Sequence, residues 1–201
     1  QRIVCSQAVL RDWDLCTSDV SKAFLQGITY EELSQMTGEP IREVNFYLPA
    51  YNIPQLRQVP GFEHFDPSTE VCHCDKPGTG SVDAPRCFSL KLAKVTGETC
   101  GMVSCIVDNE LCILHHNGRL LALLAKHVDD LKITGETETV KHLIRKIQEI
   151  FGDLKLEKNN FKNCGVRHIQ DPTTKEIKMD QDEYIATTIA HPDVYGKPAE
   201  E

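Results

Sequence analysis

At 201 residues with an apolar fraction of 40%, the chain suits one large domain or one and a half small ones. No run of about eighteen or more apolar residues occurs, so no membrane-spanning helix is expected. A formal net charge of -8 runs against nucleic-acid binding, which calls for a basic footprint.

That charge is uneven. Acids crowd the stretch from Asp12 to Glu43 and the tail at Glu200-Glu201, while basic residues are frequent between Arg119 and Lys178. The N-terminus shows no charged, apolar and cleavable pattern, so no signal peptide is expected. Gln1-Arg2-Ile3-Val4 has no initiating Met and reads as the interior of a longer chain. Nine cysteines, an odd number without a secretory signal, argue against a disulfide framework and for a reducing compartment.

In chain order, Ile3 to Trp13 carries apolar residues near helical spacing. Leu15 to Asp19 is a short apolar strand, followed by a helical Ser21 to Leu25 that Gly27 closes. Val44 to Leu48 alternates as a strand and ends at Pro49. Tyr51 to Pro67 is loop around a short helix, and residues 77–80 form a Gly-rich turn. Asp83 to Val95 fits a helix with Pro85 in its first turn. Leu111 to His115 and Leu120 to Ala125 flank Asn117-Gly118, a type I′ hairpin signal.

The second hairpin strand runs into His127-Val128-Asp129-Asp130, and strand character resumes at Leu131 to Ile133. Thr137 to Phe151 is an amphipathic helix stopped by Gly152. Phe161 to Ile169 and Glu176 to Met179 flank Asp171-Pro172 as another hairpin, and Gln181 to Ala190 is a last short helix. Adjacent antiparallel hairpins mixed with helices define an α+β fold, an antiparallel sheet covered by helices.

The chemistry concentrates in the acids. Asp at a turn often only bonds its own backbone. Here, however, an apolar strand aims two carboxylates out of a sheet, and such like charges repel unless a cation neutralises them. Asp19 stands at the end of another short apolar strand. If that strand pairs with the hairpin, three carboxylates converge into a site for two Mg²⁺ ions roughly 3.5–4 Å apart. Cys72-His73-Cys74 lacks the four-ligand spacing of structural zinc. A P-loop is absent.

Five motifs, in order and nearly spanning the chain, resemble the reverse transcriptases of copia-type retrotransposons. They are Asp19 to Gly27, Lys76 to Arg86, His127 to Leu131 with its Val-Asp-Asp core, Cys164-Gly165-Val166, and Gln181 to Ile185. The resemblance implies a reverse-transcriptase palm with partial fingers over residues 1–180, and the start of a thumb or a tail over 181–201. It implies Asp19, Asp129 and Asp130 as catalytic acids, and a Mg²⁺ (or Mn²⁺) set of Asp19, Val20, Asp129 and Asp130. Phe24, Thr79 and Gly80 would meet the nucleotide. Phe24 would lie under its sugar to exclude a 2′-hydroxyl, with plain core packing as the alternative. Arg86, His127, Cys164 and Gly165 would meet nucleic acid, with a surface ion pair the alternative for Arg86.

The implied partners are an RNA or DNA template with its primer, deoxynucleoside triphosphates, and the fingers, thumb and RNase H segments of a polyprotein. The implied location is the cytoplasm, virus-like particles or the nucleus, with no membrane. The chain departs from the family where Tyr usually precedes Val-Asp-Asp, here His127, and where a basic position has become Val82 beside Asp83. Two other readings stay open: an inactive palm remnant that binds nucleic acid or nothing, and a small zinc-binding interaction module.

Overall fold

The computed structural model describes residues 2–188. In chain order its helices and strands are α1 (Arg2–Leu10), β1 (Leu15–Asp19), α2 (Tyr30–Thr37), β2 (Asn45–Phe46), α3 (Ile53–Leu56), β3 (Cys72–His73) and α4 (Ala84–Lys94). They continue as β4 (Val103–Cys105), β5 (Asp108–His116), β6 (Arg119–His127), β7 (Asp130–Gly135), α5 (Thr137–Phe151), β8 (Lys155–Lys158), β9 (Asn160–Asn163), β10 (Val166–Gln170), β11 (Ile177–Asp180) and α6 (Asp182–Thr187). Two compact units result. One joins residues 2–21 to residues 100–188, and the other is Lys22–Thr99.

The first unit is built on a six-stranded sheet in the order β4-β5-β6-β7-β1-β8, with antiparallel neighbours throughout. Asn117 and Gly118, at φ 50° and 75°, make the β5–β6 turn that the Asn-Gly pair signals. Successive side chains on a strand alternate in face. On β1, Leu15, Thr17 and Asp19 therefore share one face, and Cys16 and Ser18 the other.

Helix α5 lies on β6 and β7 and buries Val140, Leu143, Ile144, Ile147 and Phe151, each worth about 1.5–3 kcal/mol when fully buried. Its 3.6-residue apolar period is what the sequence shows. The opposite face is covered by α1 and a second sheet, β11-β10-β9. There Val4, Cys5, Ala8, Leu15, Leu111, Leu123 and Phe161 form one apolar cluster.

In the second unit, α2 begins with a reciprocal cap. Glu32 N–H donates to Thr29 Oγ1 at 3.1 Å, and Thr29 N–H donates to Glu32 Oε2 at 2.8 Å. Thr29→Ala is expected to lower stability by about 1 kcal/mol with an unchanged urea m-value. Urea unfolding checks this, and an unchanged midpoint would show that the cap is energetically silent. Ile28, Tyr30, Leu33 and Cys87 form one cluster of this unit, and Ile53, Phe65 and Cys72 another.

Several expectations need correction. The stretch from Phe161 to Ile169 is not one strand. It is β9 and β10 joined at Cys164-Gly165, because both residues adopt positive φ, 50° and 74°, and turn the chain back on itself. Ser21 to Leu25 forms only a short 3₁₀ turn, Ala23–Gln26, entered through Lys22 at φ 54°. The alternating segment near Val44 pairs only over Asn45–Phe46 with β3. Helix α6 is shorter than the expected final helix and ends at Thr187, where Thr188 turns extended; residues 189–190 of that expectation and the rest of the expected thumb or tail lie outside the described residues. The mixed helix and strand architecture with antiparallel sheets is the α+β arrangement the pattern implies.

Candidate functional site

The acids meet at one end of the six-stranded sheet. Strand β1 pairs with β7 so that Asp19 lies directly opposite Asp130. Opposite residues of an antiparallel pair share a face, with Cβ atoms about 4.5–5.5 Å apart. Asp129 is the second residue of the tight β6–β7 turn, which His127 and Asp130 close as a cross-strand pair. The backbone N–H of Val20 donates to the Asp129 carbonyl at 3.3 Å, tying the end of β1 to that turn.

The first turn residue, Val128, sits at φ 55°. For a β-branched residue this is a true outlier, with strain on the order of 1–3 kcal/mol. Partial desolvation, then the charges of Asp129 and Asp130, hold the Asp19 carboxyl above the ordinary aspartate range, while Lys155, opposite it on β8, opposes the shift. Asp19 stays open to solvent, so the repulsion is partly screened.

Asp130 is also held from the other side. The backbone N–H of Cys164, in the β9–β10 turn, donates to its Oδ2 at 3.0 Å. Behind this contact lies a buried polar layer that sequence reasoning missed. Asn163 Nδ2 donates to Thr17 Oγ1 at 3.0 Å, and Thr17 Oγ1 donates to the Leu131 carbonyl at 2.9 Å. Lys132 Nζ and His168 Nε2 are 2.8 Å apart. Gln170 accepts from Leu15 N–H at 2.7 Å and donates to the Trp13 carbonyl at 3.0 Å. The available signal was the polar residue at every second position of β1 and β7, on the face that carries Leu15.

Of the other residues implied by the motifs, Val20, His127, Cys164 and Gly165 belong to the first unit, and Phe24, Thr79, Gly80 and Arg86 to the second. Phe24 is half-buried in the 3₁₀ turn, and Thr79 and Gly80 are exposed, Gly80 at φ 90°. Arg86 makes a two-pronged ion pair with Glu39, at 3.0 and 3.1 Å. His127 is exposed at the end of β6. The Val20 side chain is buried hydrocarbon, so only its backbone oxygen could serve a cation. Cys72 packs with Ile53 and Phe65, whereas Cys74 packs against the Ile28 cluster, so the two thiols serve different apolar groups.

Among the described residues, no group of three or more His, Cys, Asp or Glu side chains forms a ready-made metal cage. Asp19, Asp129 and Asp130 are the side chains here that could hold a cation such as Mg²⁺. It takes one or two carboxylates and completes its shell with water and phosphate oxygens, and it would relieve the mutual repulsion felt at Asp19.

Sequence relatives connect the chain to the Pol polyproteins of copia-type retrotransposons, as its motifs imply. It is 31% identical over 151 residues to the retrovirus-related Pol polyprotein from transposon RE2 of Arabidopsis thaliana, covering 75% of this chain and 9% of the relative. It is 30% identical over 141 residues to that from transposon RE1 of the same plant, covering 70% of this chain and 8% of the relative. The chain thus spans less than a tenth of the curated relatives it matches. No protein-family model matches. A solved apo telomerase from Candida tropicalis, truncated from its C-terminal domain, aligns with TM-score 0.45 and 10% identity over 89% of this chain and 38% of that one.

Proposed function

We propose that the chain is the palm, with partial fingers, of an RNA-directed DNA polymerase from a copia-type retrotransposon Pol polyprotein. The observation that carries this reading is the cross-strand pair Asp19 and Asp130 with Asp129 at the adjoining turn. Two Pol relatives supply independent support. The reaction would be attack of a primer 3′-hydroxyl on the α-phosphorus of a deoxynucleoside triphosphate, with loss of pyrophosphate.

Asp19 and Asp129 would be the main ligands of two Mg²⁺ ions, with Asp130 beside them and the Val20 carbonyl as a further oxygen. Bound Mg²⁺ would neutralise phosphate charge and lower the pKa of the attacking hydroxyl. The chain's own contribution is positioning. The β1–β7 pairing sets the spacing of the acids, the strained turn aims Asp129, and the Cys164 amide fixes the rotation of Asp130. Phe24 would select against a 2′-hydroxyl, and Thr79 and Gly80 would offer backbone to the nucleotide. His127, Cys164, Gly165 and, on release from Glu39, Arg86 would meet template or primer.

The second reading is an inactive remnant of such a palm. The net charge of -8 and the engagement of Arg86 by Glu39 favour it. Thermal unfolding against Mg²⁺ separates the two. A ligand present at about 100 times its Kd adds about 2.7 kcal/mol to the folded state. The polymerase reading expects a saturable rise in Tm at pH 7.

That rise should shrink toward acid pH. The raised folded pKa of Asp19 means the apo site is destabilising when ionised, and protonation removes both the repulsion and the ligand. A Tm indifferent to Mg²⁺ at neutral pH would favour the remnant.

A further inference from the structure

The polar layer between the six-stranded sheet and the β9–β10 hairpin is the strongest feature that the site's chemistry does not itself use. His168 is 0% exposed, Lys132 1% and Asn163 2%, in a layer otherwise closed by Phe161, Leu15 and Leu123. Apolar packing is non-directional and tolerates sliding of one layer over another. A buried polar group left without its partner is penalised by about 1–3 kcal/mol. Sliding the hairpin by one residue, about 3.3 Å, would part both Lys132 from His168 and Asn163 from Thr17. One register satisfies both pairs, and in that register the Cys164 amide reaches Asp130.

The protonation pattern is equally specific. The Val166 carbonyl, 3.0 Å from His168 Nδ1, can only accept, so Nδ1 carries the hydrogen and Nε2 accepts from the Lys132 ammonium. Burial, then the Lys132 charge, push His168 down to about 4, which keeps the ring in the neutral form this arrangement needs. Ring stacking of Phe161 on His168, 5.2 Å between centroids, holds the imidazole plane.

We propose that the Lys132–His168 and Asn163–Thr17 contacts pin the register of the β9–β10 hairpin over the sheet and so hold the Cys164 amide on Asp130. These four are positioning residues, acting through that amide, and their effect on cation binding rests on the reading of Asp130 as part of a Mg²⁺ site. Lys132 stands two positions from Asp130 on the same face of β7. The pin and the pinned carboxylate therefore share one rigid strand. Fixing buried polar partners so that only one register is satisfied is the best-attested use of such pairs.

The test compares wild type, His168→Gln, His168→Leu and the double variant Lys132→Met/His168→Leu. The Gln variant keeps an acceptor for Lys132. The double variant removes both polar groups and orphans neither, so it keeps a folded comparator if His168→Leu alone unfolds. Hydrogen exchange at the Cys164 amide reads the register, and Mn²⁺ titration followed by electron paramagnetic resonance reads the carboxylates.

In the double variant, exchange at Cys164 is expected to rise about tenfold while far-UV circular dichroism is kept, and Mn²⁺ affinity to fall about tenfold; His168→Gln should stay near wild type in both. Unchanged Cys164 exchange in the double variant overturns the proposal. Exchange that responds as expected in a protein whose wild type binds no Mn²⁺ supports the register pin and instead overturns the cation-site reading on which its functional meaning rests.

Discussion

Asp129→Asn is expected to cut Mg²⁺-dependent primer extension by about a hundredfold or more, roughly 2.7 kcal/mol of transition-state stabilisation. The assay needs a longer polypeptide that adds flanking Pol segments to this chain. The substitution keeps side-chain volume and removes one of the negative charges that, after partial desolvation, help hold the Asp19 carboxyl high. The fold should therefore survive and the Asp19 carboxyl relax toward its ordinary range, so lost activity would not reflect unfolding. Glu138→Gln, on the exposed face of α5 where Glu138 meets Lys141, is the control expected to leave extension unchanged. Asp129→Asn extending at the wild-type rate, with Mg²⁺ still required, would remove Asp129 from the catalytic set and the polymerase reading with it.

Local chemistry was legible in the sequence; long-range pairing was not. Thr137 to Phe151 shows its helix because five apolar residues follow one face, and Asn117-Gly118 shows its hairpin because both residues accept positive φ. Asp19 and the Asp129-Asp130 doublet were visible as strand-end acids. Nothing local in residues 15–19, however, announces that β1 inserts between β7 and β8.

Strands β4 and β8 went unseen because they are short sheet edges, and Lys155–Lys158 alternates charge with only one apolar residue. The capping signal Thr29-x-x-Glu32 was present and passed over, and α2 with it. Lys132 and His168 were hidden for another reason. A polar residue in an apolar strand reads as solvent-facing until the layer that covers it is known. Here that layer comes from a hairpin more than thirty residues further along, as the 36-residue separation of the pair shows.

Gly135→Ala tests how tightly the strand that carries Asp130 is set, and its sign is diagnostic. On unfolded-chain entropy alone, Gly to Ala within a strand stabilises by about 0.5–1 kcal/mol. At Gly135 the added Cβ would stand 2.6 Å from the Leu121 carbonyl oxygen, 2.7 Å from Ala122 Cβ and 2.8 Å from Ala122 Cα. None of these atoms can rotate away, because two are backbone and the third is a methyl fixed to it. Relief requires β6 and β7 to part at the Ala122–Gly135 pair, where Glu136 N–H also bonds the Leu121 carbonyl at 2.9 Å. Overpacking of this kind is penalised by about 1–3 kcal/mol, and backbone obstruction places Gly135 at the upper end.

For a chain of this size, about 3 kcal/mol lowers Tm by roughly 6–12 °C. Because β7 runs from Gly135 to Asp130 and also pairs with β1, parting its far end loosens the frame that fixes Asp19 opposite Asp130. The stabilising response to Mg²⁺ should then weaken together with Tm. A Gly135→Ala protein that melts at or above the wild-type temperature would mean that β6 and β7 have room to separate, and that the spacing of the acids is not held by this close approach.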